Sequence, residues 1–140
     1  MNRRGFAAVA LAIAGACSSP TDSGPPPVSL IGTWDYTGQQ TSPPDSIAGT
    51  FTVSSQSGHS LTGSVNLTDY QSGGGTMNLS GPVTGNVADS VSVSFDAFVG
   101  APGTTRHHMA TKKADTLSGT WLDVTSGGPG ASGTFRAVLQ

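Results

Sequence analysis

One spacing recurs along this chain: an apolar residue, any residue, glycine, any residue, an apolar residue. It occurs as Leu30-Ile31-Gly32-Thr33-Trp34, Ile47-Ala48-Gly49-Thr50-Phe51 and Leu61-Thr62-Gly63-Ser64-Val65. It occurs again as Leu79-Ser80-Gly81-Pro82-Val83, Leu117-Ser118-Gly119-Thr120-Trp121 and Ala131-Ser132-Gly133-Thr134-Phe135. In a strand, side chains alternate between faces, so both apolar residues and the glycine share one face. The intervening residues, mostly Ser and Thr, take the other. Each copy is therefore a strand with a dry face, a wet face and a notch on the dry side. Six copies in one chain predict an antiparallel meander.

Composition agrees. All 8 acidic residues are Asp, and the charged share is 10%. Long straight-chain helix formers are scarce, while Ser, Thr, Gly and Val abound. At 140 residues the chain has room for a single domain of ordinary size. The formal charge is -2, and beyond Arg3 and Arg4 the only basic residues are Arg106, Lys112, Lys113 and Arg136. That leaves no basic surface for nucleic acid.

The N-terminus reads as an address. Arg3 and Arg4 precede an apolar run from Gly5 to Ala16, too short to span a bilayer and suited to a signal-peptide core. It ends in Ala14-Gly15-Ala16-Cys17, which resembles the lipobox of bacterial lipoproteins. That resemblance implies removal of residues 1–16, lipidation of Cys17, the only cysteine, and anchoring to the cell envelope. Ser18 after the cysteine implies sorting to the outer membrane. Residues 17–29 then read as a flexible tether rich in Ser, Pro and Gly, and residues 30–140 as the folded domain.

Within the domain, strands are expected at about 31–38, 47–55, 60–69, 76–86, 91–98, 105–112, 116–124 and 132–139. Turn chemistry separates them, as in Ser42-Pro43-Pro44-Asp45, Ser72-Gly73-Gly74-Gly75 and Ala88-Asp89-Ser90. Pro82 implies a bulge, bend or break in the fourth strand. In the sixth, Met109 is expected to point inward with His107, leaving Arg106 and His108 outside. Eight short, evenly spaced strands suggest an up-and-down barrel or a sandwich, and closure removes exposed edges. The expected fold class is all-β: one antiparallel up-and-down barrel of about eight strands.

Gly32-Thr33-Trp34 resembles the Gly-x-Trp that opens lipocalin and avidin-like barrels. The resemblance implies that Trp34 plugs one end and that an Arg of the last strand, here Arg136, packs over it. A biotin site does not carry over, because Tyr36, Val65 and Leu117 stand where the avidin-like family has its biotin-binding Asn, Tyr and Trp. Thr68-Asp69-Tyr70 copies a lipocalin tripeptide away from its usual strands and is read as chance.

His107 and His108 point to opposite faces of a strand and so do not share a metal ion. Asp35 and Asp96 fall on the Ser/Thr face, and Asp123 falls at a strand end or cavity mouth. No spacing assembles them for acid–base work, so no catalytic residue, metal or cofactor is expected. Trp34, Tyr36, Met77, Phe95, Met109 and Trp121 are the candidate lining of a cavity for a small apolar ligand. The sequence thus reads as a monomeric, non-enzymatic, lipid-anchored barrel that binds a small apolar molecule or a protein. An envelope inhibitor of lysozyme or a protease, and a purely structural lipoprotein, remain as alternatives.

Overall fold

The structure, a computed structural model, describes residues 27–100 and 103–140. The signal segment, Cys17 and most of the tether lie outside the described residues. Eight strands follow in order: β1 (Gly32–Gln40), β2 (Ser46–Ser57), β3 (Ser60–Tyr70), β4 (Thr76–Val87), β5 (Ser92–Phe98), β6 (Thr105–Lys113), β7 (Thr116–Thr125) and β8 (Gly128–Leu139). Each pairs with its successor, and β8 pairs with β1, closing an all-antiparallel barrel. The expected fold class stands.

The repeated glycines work through register. Tyr36 is paired with Gly49, Phe95 with Gly85, Phe135 with Gly119 and Trp121 with Gly133. A ring on one strand thus lies level with a neighbour that has no side chain. At Gly133 a Cβ would come within 2.8 Å of the Trp121 ring and 1.9 Å of the Gln39 carbonyl oxygen. At Gly119 it would meet the Met109 carbonyl oxygen at 1.8 Å. Glycine here permits the coil that closes eight short strands, and a facing aromatic covers the gap.

The rings fill the middle of the barrel. Phe51 stacks on Phe95 at 4.5 Å between centroids, and Phe95 stacks on His108 at 4.2 Å. Phe135 meets Phe95 and His108 edge-on and stacks with Tyr36 at 5.3 Å. Such pairs add to plain area burial. One end, the floor, is sealed by Leu30, Trp34, Val53, Leu61 and Leu117, all buried. Trp34 donates its indole N–H to the Leu30 carbonyl at 2.9 Å. Gln56 holds the incoming chain, accepting from the Leu30 N–H at 2.8 Å and donating to the Val28 carbonyl at 3.0 Å. Trp34 therefore plugs the floor, as the Gly-x-Trp resemblance implies.

Four expectations are corrected. In β6, Arg106, His108 and Ala110 point in, while Met109 is 71% exposed and His107 faces out beside Asp96. Hydropathy favours burying Met109, but Arg106 finds a carboxylate inside, and one buried residue fixes the parity of the whole strand. Arg136 is exposed and reaches Thr116 rather than Trp34. Pro82 makes no bulge: it pairs with Ser64 in an unshifted register, but the β4–β5 ladder ends at Val83↔Ala97, so Pro82 limits pairing on that side only. The bulges fall instead between Val53 and Ser55 and between Leu122 and Val124. Finally, Val28, read as tether, packs against the core.

Candidate functional site

At the end opposite the floor, the turns after β1, β3, β5 and β7 surround a recess of about 310 Å³. Its walls are apolar where Met77, Leu79, Val99 and Ala131 contribute, and charged where Asp45, Asp69, Arg106 and Asp123 do. This is the mouth of the barrel. The aromatic layer of Tyr36, Phe95, His108 and Phe135 belongs to the filled interior next to it.

Arg106 organises the mouth. Its Nε donates to Asp123 Oδ1 at 2.7 Å and its Nη2 to Asp123 Oδ2 at 2.9 Å. The guanidinium carbon sits 3.8 Å from the Trp121 ring centroid. Arg106 and Asp123 are register partners on β6 and β7, so the pair is built into the ladder. A two-pronged ion pair and an aromatic face together offset the cost of burying this charge. The Trp121 indole N–H donates to the Thr134 carbonyl at 3.2 Å. The third guanidinium nitrogen, Arg106 Nη1, is buried without a hydrogen-bond partner among the described residues.

A second buried atom lacks a partner. Asp69, at the end of β3, is 4% exposed, and its Oδ1 accepts no hydrogen bond from the described residues. Among those residues it forms no ion pair with Arg106, whose partner is Asp123. Burial raises the Asp69 pKa above the usual carboxylate range, the charge of Asp45 adds to the rise, and Arg106 opposes it. Asp45 by contrast is committed. It accepts from the Ser72 N–H at 2.6 Å and from Gln40 Nε2 at 3.3 Å, tying the β1–β2 turn to the β3–β4 turn.

Just inside, His108 Nδ1 faces the Arg106 carbonyl at 3.2 Å and Nε2 faces the Tyr36 hydroxyl at 3.2 Å. A carbonyl only accepts, so Nδ1 carries the proton and Nε2 accepts from the Tyr36 O–H. Burial, aided by the charge of Arg106, lowers the His108 pKa to about 3. The ring is neutral at physiological pH, as its stack on Phe95 favours. Burial likewise pushes the Tyr36 phenol far above its ordinary value.

The structure thus brings Trp121 to the mouth and Tyr36 and Phe95 to the aromatic layer. It sends Trp34 to the floor and Met109 outside. Met77 stands half-exposed on the recess wall. Sequence reading placed Asp123 correctly but missed Arg106, Asp69 and Asp45. Asp69 continues the inward alternation of Leu61, Val65 and Leu67, so parity alone marked it. A larger depression of about 410 Å³ crosses the outside of β5, β6 and β7 beside Met109. It is lined mainly by Ser, Thr and small residues and contains neither of the unpartnered buried atoms. No group of three metal-ligating side chains converges among the described residues.

No protein-family profile matches the chain, and no curated protein sequence does. Solved structures do. EF1p2_mFAP2b bound to DFHBI shares the fold with a TM-score of 0.65 at 15% identity, over 79% of this chain and 94% of that one. The redesigned β barrel mFAP1, also bound to DFHBI, gives 0.58 at 17% identity over the same shares. A de novo designed fluorescence-activating β barrel gives 0.54 at 14% identity, again over 79% of this chain and 94% of that one. At these identities what is shared is the barrel itself.

Proposed function

We propose that this chain is a non-enzymatic binding protein that takes a small, largely apolar molecule in the mouth of its barrel. The single observation that carries the reading is the recess of about 310 Å³ at the mouth, apolar on one side and charged on the other. Volume and mixed lining fit a compact ligand. Two of the similar barrels, mFAP2b and mFAP1, hold the small molecule DFHBI, which supports the same use here.

The same proposal places the barrel on the cell envelope, hung from a lipidated Cys17, with outer-membrane sorting from Ser18. The exposed strand positions support an aqueous setting for the domain: they are mostly Ser, Thr, Asn and Gln, whereas a membrane barrel carries an apolar outer band.

Titration with a neutral environment-sensitive dye such as Nile red tests the site. The expected result is saturable brightening at one site per chain, abolished by Ala131→Trp, which fills the recess. Brightening equal in the variant, or none in either protein, contradicts the reading. Radioactive fatty-acid labelling tests the anchor, with label expected in the native chain and lost in Cys17→Ala.

A further inference from the structure

The described chain enters the barrel at its floor. Val28 packs against the core there, and Gln56 holds the Leu30 N–H and the Val28 carbonyl. Cys17 stands eleven residues before Val28 in sequence. A lipid on Cys17 therefore joins the barrel through the floor, and the inference below rests on that proposed anchor. The turns after β2, β4 and β6 lie at the same end.

Charge divides along the same axis. The cations among the described residues are Arg106, Lys112, Lys113 and Arg136. Arg106 is buried at the mouth on Asp123. The other three gather at the floor rim. Lys113 is the exposed last residue of β6. Lys112 Nζ donates to the Ala114 carbonyl in the following turn at 2.6 Å. Arg136 Nη2 donates to Thr116 Oγ1, at the start of β7, at 3.4 Å. Asp35, Asp89 and Asp115 balance these three in the floor half. In the mouth half Asp45, Asp69, Asp96 and Asp123 stand against one arginine.

Exposed apolar side chains choose neither end. Ile31 and Val91 stand at the floor rim, and Tyr70 and Phe98 at the mouth rim, all about half-exposed. Charge and attachment decide instead. An anionic lipid surface attracts nearby Lys and Arg, and its field fades within about 10 Å at 0.1 M salt, so it acts on the barrel end that faces it. With the mouth toward the lipid, the carboxylate excess lies in that field. With the floor toward it, Lys112, Lys113 and Arg136 do. We propose that the floor rim docks on anionic lipid head groups through these three cations, with Ile31 and Val91 at head-group level, and that the mouth faces away from the membrane. A ligand then enters from the aqueous side rather than out of the lipid.

Energy transfer to the lipid surface tests this. The lipidated full chain is placed on vesicles of phosphatidylethanolamine and phosphatidylglycerol that carry an acceptor dye on a head group. One donor dye is attached at Ser90→Cys, an exposed floor-turn position, or at Gly73→Cys, a mouth-turn position where a Cβ meets nothing within 4 Å. Transfer is expected to be at least about twofold stronger from position 90. Reversing two exposed floor cations, Lys113→Glu with Arg136→Glu, is expected to cut that contrast by about half or more. An unchanged thermal transition verifies that the reversed variant is folded.

Transfer equal from both positions, or stronger from position 73, overturns the inference, as does a contrast that charge reversal leaves undiminished. In those cases transfer still occurs and the anchor at Cys17 stands. Absence of transfer from either position removes the anchor and the docking surface together.

Discussion

The two ends of this barrel are built from the same parts and finished differently. Each carries a tryptophan drawn from the same repeated pattern, Trp34 from Leu30-Ile31-Gly32-Thr33-Trp34 and Trp121 from Leu117-Ser118-Gly119-Thr120-Trp121. At the floor the indole N–H, the Leu30 N–H and the Val28 carbonyl are all matched within the chain. The side chains that seal it around Trp34 are aliphatic. At the mouth the tryptophan carries an arginine, the arginine carries an aspartate, and two buried polar atoms still lack partners among the described residues. The difference teaches where stability and function divide. The floor is optimised as core, while the mouth keeps buried polarity that a fully apolar end would dispense with.

Several changes break or sharpen that contrast. Trp34→Ala at the floor is expected to cost about 3–5 kcal/mol, the range for emptying a buried aromatic site, read from denaturant midpoints. At the mouth, Asp123→Ala leaves Arg106 buried without its counter-charge and is expected to cost about 3 kcal/mol. The double change Arg106→Met with Asp123→Leu is expected to restore native stability or exceed it, because apolar side chains need no partner there. A double variant as weak as Asp123→Ala would show that the pair is structural rather than dispensable.

The next contrast is in pH. His108 is held neutral with a folded pKa of about 3, below its ordinary 6.5. Between those values the unfolded chain binds the extra proton, so stability rises with pH across that window and is lost as pH falls through it. The slope is expected to flatten in His108→Phe. That variant should also lose about 1–2 kcal/mol at neutral pH, because the Tyr36 hydroxyl loses its acceptor. Asp69 runs the other way. Its folded pKa is raised, so its ionisation lowers stability as pH rises through that pKa. Asp69→Asn is expected to add less than about 1 kcal/mol at pH 7, the smallest effect in the series, measurable as a small rise in melting temperature.

Much of the frame was legible in the chain. The apolar-x-Gly-x-apolar spacing marked strands, their dry face and the notches on it, because period-2 patterning is a local property; which ring faces each notch is set by register between strands. Trp34 as the floor plug followed from the Gly-x-Trp resemblance, and Asp123 at the mouth followed from parity and position. The face of β6 did not. Met109 is more apolar than Arg106, and only Asp123, seventeen residues onward, makes the arginine the better inward residue. Asp45 was hidden for a related reason: its burial arises where separate turns converge, and no single stretch carries that information. Asp69 was marked by the alternation of β3 and was passed over because it is charged. Pro82 was legible as a limit on pairing, since the β4–β5 ladder ends at Val83, but not as the bulge it suggested, because its β3 side keeps register.

The account stands on one end of the barrel being sealed and the other receiving a ligand. The chain contains 2 tryptophans, and each marks one end. Their indole N–H resonances therefore report the two ends separately during a titration with Nile red. The account predicts that the Trp121 signal moves and saturates while the Trp34 signal stays fixed. A Trp34 signal that moves with it, or a Trp121 signal that never moves, contradicts the account.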